Sequence, residues 1–323
     1  MKLIDSIFSI TSEEQFNKCC INVFQYQYTN TPIYKSYCDQ LKIDFDKISH
    51  YHQIPFLPIE FYKTQKIISD NSTAIKVFKS SGTGGIRSKH YVADLKLYTR
   101  SFMTTYINRI GEVEDQVILA LLPNYIDNGD SSLIYMVDAL MKKTKSNLSG
   151  YILDDSDQLL ERYNSALKQG KKIVLFGVSY ALLDLSENSN TFPELTIIET
   201  GGMKGKRKEI TKRKLHNKLK NDLGCEVVYS EYGMTELLSQ AYSTDDLEFI
   251  CPPWMQVIIR EINDPFKFES NGKTGGVNII DLANIYSCSF ISTQDLGRIS
   301  KHGFEILGRF DNSDIRGCNL LVD

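Results

Sequence analysis

The sequence predicts an α/β protein: mostly parallel sheet flanked by helices, with a β-rich C-terminal portion. Three observations carry that expectation. The runs QVILALLP, KKIVLFGV, LTIIET and CEVVYS, beginning near residue 115, are short, apolar and rich in β-branched residues. Such runs read as strands buried on both faces. The stretches SSLIYMVDALMKKT, SDQLLERYNSALKQG and KRKEITKRKLHNKLKNDLG lie between them, and strand alternating with helix is the pattern of a doubly wound parallel sheet. Beyond Glu236 the texture changes to WMQVIIREI, GGVNIIDL, CSFIST and GFEILGRF, strands separated by turns.

In chain order, residues 1–75 read as helix and loop. TSEEQFNKCCINVFQYQYTN starts with Thr11 and Glu14 at capping-box spacing. Pro55 and Pro58 then impose extended or turning backbone on an aromatic-rich segment. Residues 76–236 form the α/β part, in which Gly170 and Gly224 are placed to end helices. Residues 237–323 form the β-rich part. No repeat, low-complexity tract or linker separates these parts, so they are expected to be layers of one domain spanning 1–323.

At 323 residues, 42% hydrophobic and 24% charged, the chain is long and apolar enough for a substantial core. A net charge of −3 argues against a dedicated nucleic-acid binder. The start is a poor secretory signal, because Asp5 and Ser6 break its apolar run, and no window reaches the length of a membrane span. The seven cysteines include no C-x-x-C pair, which disfavours a structural zinc site or redox motif. Free thiols in a reducing cytoplasm are expected.

The stretch FKSSGTGGIRSKHY poses the functional question. Glycines let successive backbone N–H groups converge on an anion, and hydroxyls add uncharged donors. Ser80, Ser81, Gly82, Thr83, Gly84 and Gly85 have that chemistry, with Arg87 and Lys89 following. The stretch is not a Walker A loop, and the only Gly-Lys-Thr, at 272–274, lacks the glycine that motif requires at 267. Alone, it reads as a surface turn. Three further stretches change its weight: IETGGMKG, YSEYGMTEL and STQDLGRISKHGFEILGRFDNSDIRG. Each sets polar or glycine-rich residues at a strand's C-terminal end, where open α/β sheets bind ligands.

In that order these motifs resemble the adenylate-forming superfamily, which activates carboxylates with ATP. PFLPIEFYKTQKI, LALLPNYIDNGDSSLIYMV, VLFGVSYALLDL and IIETGGMKGKRKEI are similar, within it, to the acyl-protein synthetase (LuxE) family, relatives of the phenylacetate-CoA ligases. The resemblance covers nearly the whole chain. It implies the large domain of an adenylate-forming enzyme. With the sequence ending at Asp323, the small C-terminal domain and its catalytic lysine are expected to be lacking.

The resemblance also implies roles. Ser80 to Gly85 would close over the β- and γ-phosphates. Gly201 and Gly202 would line the adenine pocket, with Tyr232 and Gly233 beside the base. Thr235 would bond the α-phosphate, and Glu236 would hold Mg²⁺. Asp295 would accept from the ribose hydroxyls, Arg309 would contact ribose or phosphate, and Asp311 would sit at the hinge. Lys204 and Lys206 are candidates for the missing cation by position only. Cys318, with Arg316 nearby, would be the acyl acceptor, while the remaining cysteines would pack. The implied function is activation of a fatty acid or similar carboxylate as acyl-AMP, transfer to Cys318, and delivery to an acyl reductase partner of the LuxC kind. An acyl-CoA ligase and a non-catalytic acyl or nucleotide carrier remain open.

Overall fold

The computed structural model describes residues 2–81, 85–123, 129–152, 156–202, 207–208, 210–243 and 247–310. Helices α1 (Lys2–Phe8), α2 (Glu13–Asn30) and α3 (Pro32–Gln40) open the chain, followed by strand β1 (Leu57–Pro58) and the single turn α4 (Phe61–Thr64). Strands β2 (Lys76–Lys79) and β3 (Lys89–Val92) pair as an antiparallel hairpin outside the main sheet. Next come α5 (Leu95–Arg109), β4 (Gln116–Leu121), α6 (Ser132–Thr144), β5 (Gly150–Tyr151) and α7 (Ser156–Lys168). Then follow β6 (Lys172–Gly177), α8 (Ser179–Ser186), β7 (Leu195–Glu199), α9 (Lys212–Leu223) and β8 (Val227–Tyr232). The remaining strands are β9 (Ala241–Ser243), β10 (Phe249–Ile250), β11 (Met255–Arg260), β12 (Gly275–Asp281), β13 (Phe290–Ile299) and β14 (Phe304–Arg309).

One sheet of twelve strands runs in the order β11-β12-β13-β14-β10-β9-β8-β7-β6-β4-β5, with β1 added on β13. Its two halves follow the two sequence textures. Strands β5, β4, β6, β7 and β8 are mutually parallel. From β8 onward the strands in this order pair antiparallel, and only the added β1 joins β13 in parallel. The parallel half comes from the strand-helix alternation, because a parallel partner requires a crossover long enough for a helix. The antiparallel half comes from the turn-separated strands.

Burial explains the runs. All six residues of β4 and all seven of β12 are buried, each large aliphatic side chain contributing about 1.5–3 kcal/mol. Trp254 and Asp281, buried polar groups of the same layer, are partnered. Trp254 Nε1 donates to Ser101 Oγ and Ser239 Oγ at 3.1 and 3.0 Å. Asp281 accepts from Leu238 N, Ser239 N and Ser239 Oγ at 2.7, 3.0 and 2.6 Å. These bonds tie the segment after β8 to β12.

Two local readings change. The cap of α2 is Ser12, not Thr11: Ser12 Oγ accepts from Gln15 N, and Gln15 Oε1 reaches back to Thr11 N at 2.8 Å. The box is therefore shifted by one residue. Helix α8 was not anticipated, because Tyr180, Ala181, Leu182, Leu183 and Leu185 are all buried and leave no amphipathic period to read.

Candidate active site

Segments far apart in sequence meet around a cavity of about 470 Å³. One wall is the β2–β3 hairpin, whose connection carries Ser80, Ser81, Gly85 and Arg87 into the lining. Its ends are fastened locally. Ser80 N donates to Ser88 O at 3.1 Å, Ser88 N donates to Ser80 Oγ at 3.0 Å, and Arg87 Nε donates to Ser80 O. Lys79 Nζ reaches Asp130 Oδ2 at 2.7 Å, tying the hairpin to the N-terminal approach of α6, whose cap is Ser131. Gly82, Thr83 and Gly84 lie outside the described residues.

The opposite wall is the C-terminal end of β8 and the turn beyond it. Glu231, Gly233, Met234, Thr235 and Glu236 all line the cavity. His90 on β3 holds this turn from below. Its Nδ1 lies 2.8 Å from Thr235 O and its Nε2 lies 3.0 Å from Asn284 Oδ1. Asn284 Nδ2 in turn donates to Glu236 O at 2.8 Å. Two acceptors favour the imidazolium, but burial outweighs them and lowers His90 to about 4. Burial also raises the Glu236 carboxyl above the ordinary carboxylate range, with a hydrogen bond from Ser88 opposing it.

Thr200, after β7, completes the rim. Gly201 and Gly202 follow at φ +79° and +97°, a left-handed region in which a side chain would be strained. The turn is set by Glu199, 1% exposed, which accepts from Gly201 N at 2.7 Å, from Ser230 Oγ at 2.8 Å and from Lys212 Nζ at 2.8 Å. Sequence reading singled out the glycines and passed over the carboxylate that shapes them.

Asp295 and Arg309 face each other across β13 and β14. Arg309 Nε donates to Asp295 Oδ1 at 2.8 Å, and Tyr232 Oη donates to Asp295 Oδ2 at 2.7 Å. Arg309 lines the cavity, while Asp295 is 5% exposed behind it. The Tyr232 ring is buried against Phe249 and Phe304 at 5.6 and 5.3 Å between centroids. Tyr232 and Asp295 therefore support the wall and are not among its lining residues.

The lining also holds Lys63, Lys79, Glu231, Gln240 and Gln294, which sequence reading did not single out for this site. Lys63 had no signal beyond its place in an aromatic segment. Glu231 was legible only through the alternation of β8, which turns Val228, Ser230 and Tyr232 inward together and Glu231 to the other face. Four cations, Lys63, Lys79, Arg87 and Arg309, surround the space, as a polyanion requires. For Mg²⁺, Glu236 provides one hard oxygen ligand at the cavity, and no group of three or more His, Cys, Asp or Glu suited to a metal occurs among the described residues. That donor set fits an ion held by one carboxylate plus substrate phosphates and water, and does not fit an all-protein cage.

The six described cysteines are free, and none lines the cavity. Burial raises Cys38, Cys225 and Cys251 to about 12, 11 and 12, and raises Cys19, Cys20 and Cys288 as well. Thiols held neutral in this way are poor nucleophiles. Cys318, Lys204, Lys206, Asp311 and Arg316 lie outside the described residues. No helix among the described residues is long and apolar enough to cross a membrane.

The profile of the family described as acyl-protein synthetase, LuxE, matches residues 7–323. A long-chain-fatty-acid–luciferin-component ligase of Photorhabdus luminescens is 32% identical over 73 residues, 22% of this chain and 62% of that protein. The match thus spans less than two thirds of the curated relative. Among solved structures, ATP-bound MatB from Rhodopseudomonas palustris aligns with a TM-score of 0.55 at 19% identity, covering 72% of this chain and 47% of that one. A 2-hydroxyisobutyryl-CoA ligase in the postadenylation state aligns with a TM-score of 0.69 at 11% identity, covering 94% of this chain and 69% of that one. At such identities the structural likeness establishes the fold.

Proposed function

We propose that this chain, which belongs to the LuxE family of acyl-protein synthetases, uses ATP to activate a fatty acid or similar carboxylic acid and passes the acyl group to a thiol. One observation supports this reading above the others. The hydroxyl- and glycine-bearing hairpin loop, the Thr235-Glu236 turn and Arg309 come from three separate parts of the chain and border one cavity.

In this reading Ser80, Ser81 and the loop amides receive the β- and γ-phosphates, with Lys63, Arg87 and Arg309 balancing their charge. The Thr235 hydroxyl donates to the α-phosphate. Glu236 would hold Mg²⁺, which when bound neutralises charge on the phosphates. Asp295, through its bond to Arg309, fixes where that guanidinium stands. A carboxylate oxygen attacks the α-phosphorus, the bond to the bridging oxygen breaks, and pyrophosphate leaves. A thiolate then attacks the acyl carbonyl, and AMP departs with the electron pair. Cys318 is the proposed thiol; of the six described cysteines five are buried, Cys251 is half-buried, and none lines the cavity. An acyl reductase of the LuxC kind would consume the thioester, and a reducing cytoplasm would keep the thiols free.

Incubation with Mg·ATP and labelled tetradecanoate, with and without CoA, followed by a denaturing gel, tests the acceptor. Label retained by the wild-type chain, lost in Cys318→Ser and released by hydroxylamine is the expected result. Label appearing only in CoA would replace Cys318 by that acceptor. Calorimetry that finds no ATP uptake would remove the nucleotide site altogether.

A further inference from the structure

The nucleotide roles use the hairpin loop, Thr235, Glu236 and Arg309. Tyr98, Leu133, Met136, Glu231 and Gln240 also line the cavity and are left for the acid. They do not make a plain apolar slot. Glu231 lies on β8, paired in register with Tyr242 on β9. Its position depends on the residue two further on: a methyl group built on Gly233 would fall 2.2 Å from Glu231 Oε1 and 3.3 Å from Gln240 Cγ. The glycine leaves the carboxyl room, and the carboxyl and Gln240 stand side by side.

Polar groups here lack partners. Among the described residues, Gln240 Oε1 and Tyr242 Oη are buried without a hydrogen bond. The half-buried Glu231 carboxyl receives no hydrogen bond among the described residues; burial of its carboxyl end and the like charge of Glu199, with Lys212 opposing, raise it to about 8. An unsatisfied buried acceptor costs about 1–3 kcal/mol, so such a group is retained where a ligand completes it. Two neighbouring oxygen acceptors, Glu231 and Gln240, call for a donor. A carboxyl neutral near pH 7 can both give a hydrogen bond to a hydroxyl and receive one from it, or yield its proton beside an ammonium.

We propose that the acid this enzyme activates carries a hydrogen-bond-donating substituent, a hydroxyl or an amino group, and that Glu231 and Gln240 select for it. This rests on the acyl-activating reading and names its substrate class. A site built to hydrogen-bond a substituent discriminates strongly against the analogue lacking it, because the protein groups are then left unpaired.

The test is acid-dependent ATP–pyrophosphate exchange with the full chain and chain-matched acids: tetradecanoate against 3-hydroxytetradecanoate, and butyrate against 3-hydroxybutyrate and 3-aminobutyrate. In at least one set, the substituted acid should exceed its plain partner about tenfold or more in kcat/KM, and the hydroxyl and amino arms identify the donor. Glu231→Leu and Gln240→Leu should bring that ratio close to one. Glu231→Met, close in length and without a comparable donor or acceptor, carries the test if the leucine variant does not fold. Plain acids exchanging as well as their partners, or a ratio unmoved by both Glu231 variants, overturns this inference alone. Exchange with no acid, together with no calorimetric binding of ATP, overturns the acyl-activating reading and this one with it.

Discussion

Among the described residues Glu236 is one of two carboxylates lining the cavity, and it sits beside the threonine assigned to the α-phosphate. Replacing it by Gln keeps volume and the contact with Ser88 but removes the charge that would hold Mg²⁺. Carboxylate-dependent pyrophosphate exchange should fall by about 100-fold or more, the scale seen when a preorganised electrostatic contact is lost. Exchange within twofold of wild type would leave the metal role without support. Tyr232 makes a different prediction. Its hydroxyl donates to Asp295, 5% exposed, so Tyr232→Phe leaves a buried acceptor one donor short and should destabilise the chain by about 1–3 kcal/mol. Urea denaturation reads this directly, and a change under 0.5 kcal/mol would mean that Arg309 alone satisfies Asp295. The contrast shows what was legible in the sequence. Thr235, Glu236 and Arg309 stood out as motif residues and do border the cavity. The supporting place of Tyr232 was hidden, because Phe249 and Phe304, which enclose its ring, lie 17 and 72 residues away in the chain.

At the scale of elements, the hairpin β2–β3 does two jobs: its tip carries the serine-glycine loop, and its return strand supplies His90 under the Thr235-Glu236 turn. The second job makes the turn sensitive to acid. His90 is buried with its folded pKa near 4, below the ordinary histidine value of 6.5. A depressed group contributes stability that is present above the unfolded value and lost as pH falls through the folded one. The loss therefore runs from about pH 6.5 down to about 4 and amounts to about 3 kcal/mol at 1.36 kcal/mol per unit. Asp281, raised to about 6 by burial, works in the opposite sense, its contribution fading as pH rises from about 4 to 6. Comparison with His90→Gln isolates the histidine. The variant should lose stability less steeply than wild type between pH 6.5 and 4, and parallel curves would refute the assignment. Neither Asn284 nor the bond it makes could be read from sequence, since it lies 194 residues from His90. The strands themselves could be read, because a continuous apolar run such as β4 has few ways to be buried other than inside a sheet.

For the whole molecule, the decisive feature is that one sheet joins both textures of the sequence, with the cavity at their junction. Strand β8, parallel to β7 on one side and antiparallel to β9 on the other, is where the sheet changes character. The Thr235-Glu236 turn leaves its C-terminal end, and Arg309 comes from β14 in the antiparallel half. Sequence patterning could give the two halves, but not their order, because the chain goes from β10 to the sheet edge at β11 and returns through β12 and β13 until β14 pairs with β10. A ligand spanning this junction contacts the hairpin, the parallel half and the antiparallel half together, so it should stabilise them as a unit. For a ligand bound by the folded state alone, the gain is RT ln(1 + [L]/Kd), about 2.7 kcal/mol at a hundredfold excess over Kd. Tm should therefore rise by several degrees with Mg·ATP and keep rising logarithmically with concentration. Arg309→Met should blunt the rise by removing a cation supplied from the antiparallel half. A Tm that stays flat through millimolar Mg·ATP would show that the two halves do not share a nucleotide. A rise undiminished in Arg309→Met would place the nucleotide on the hairpin and parallel half alone.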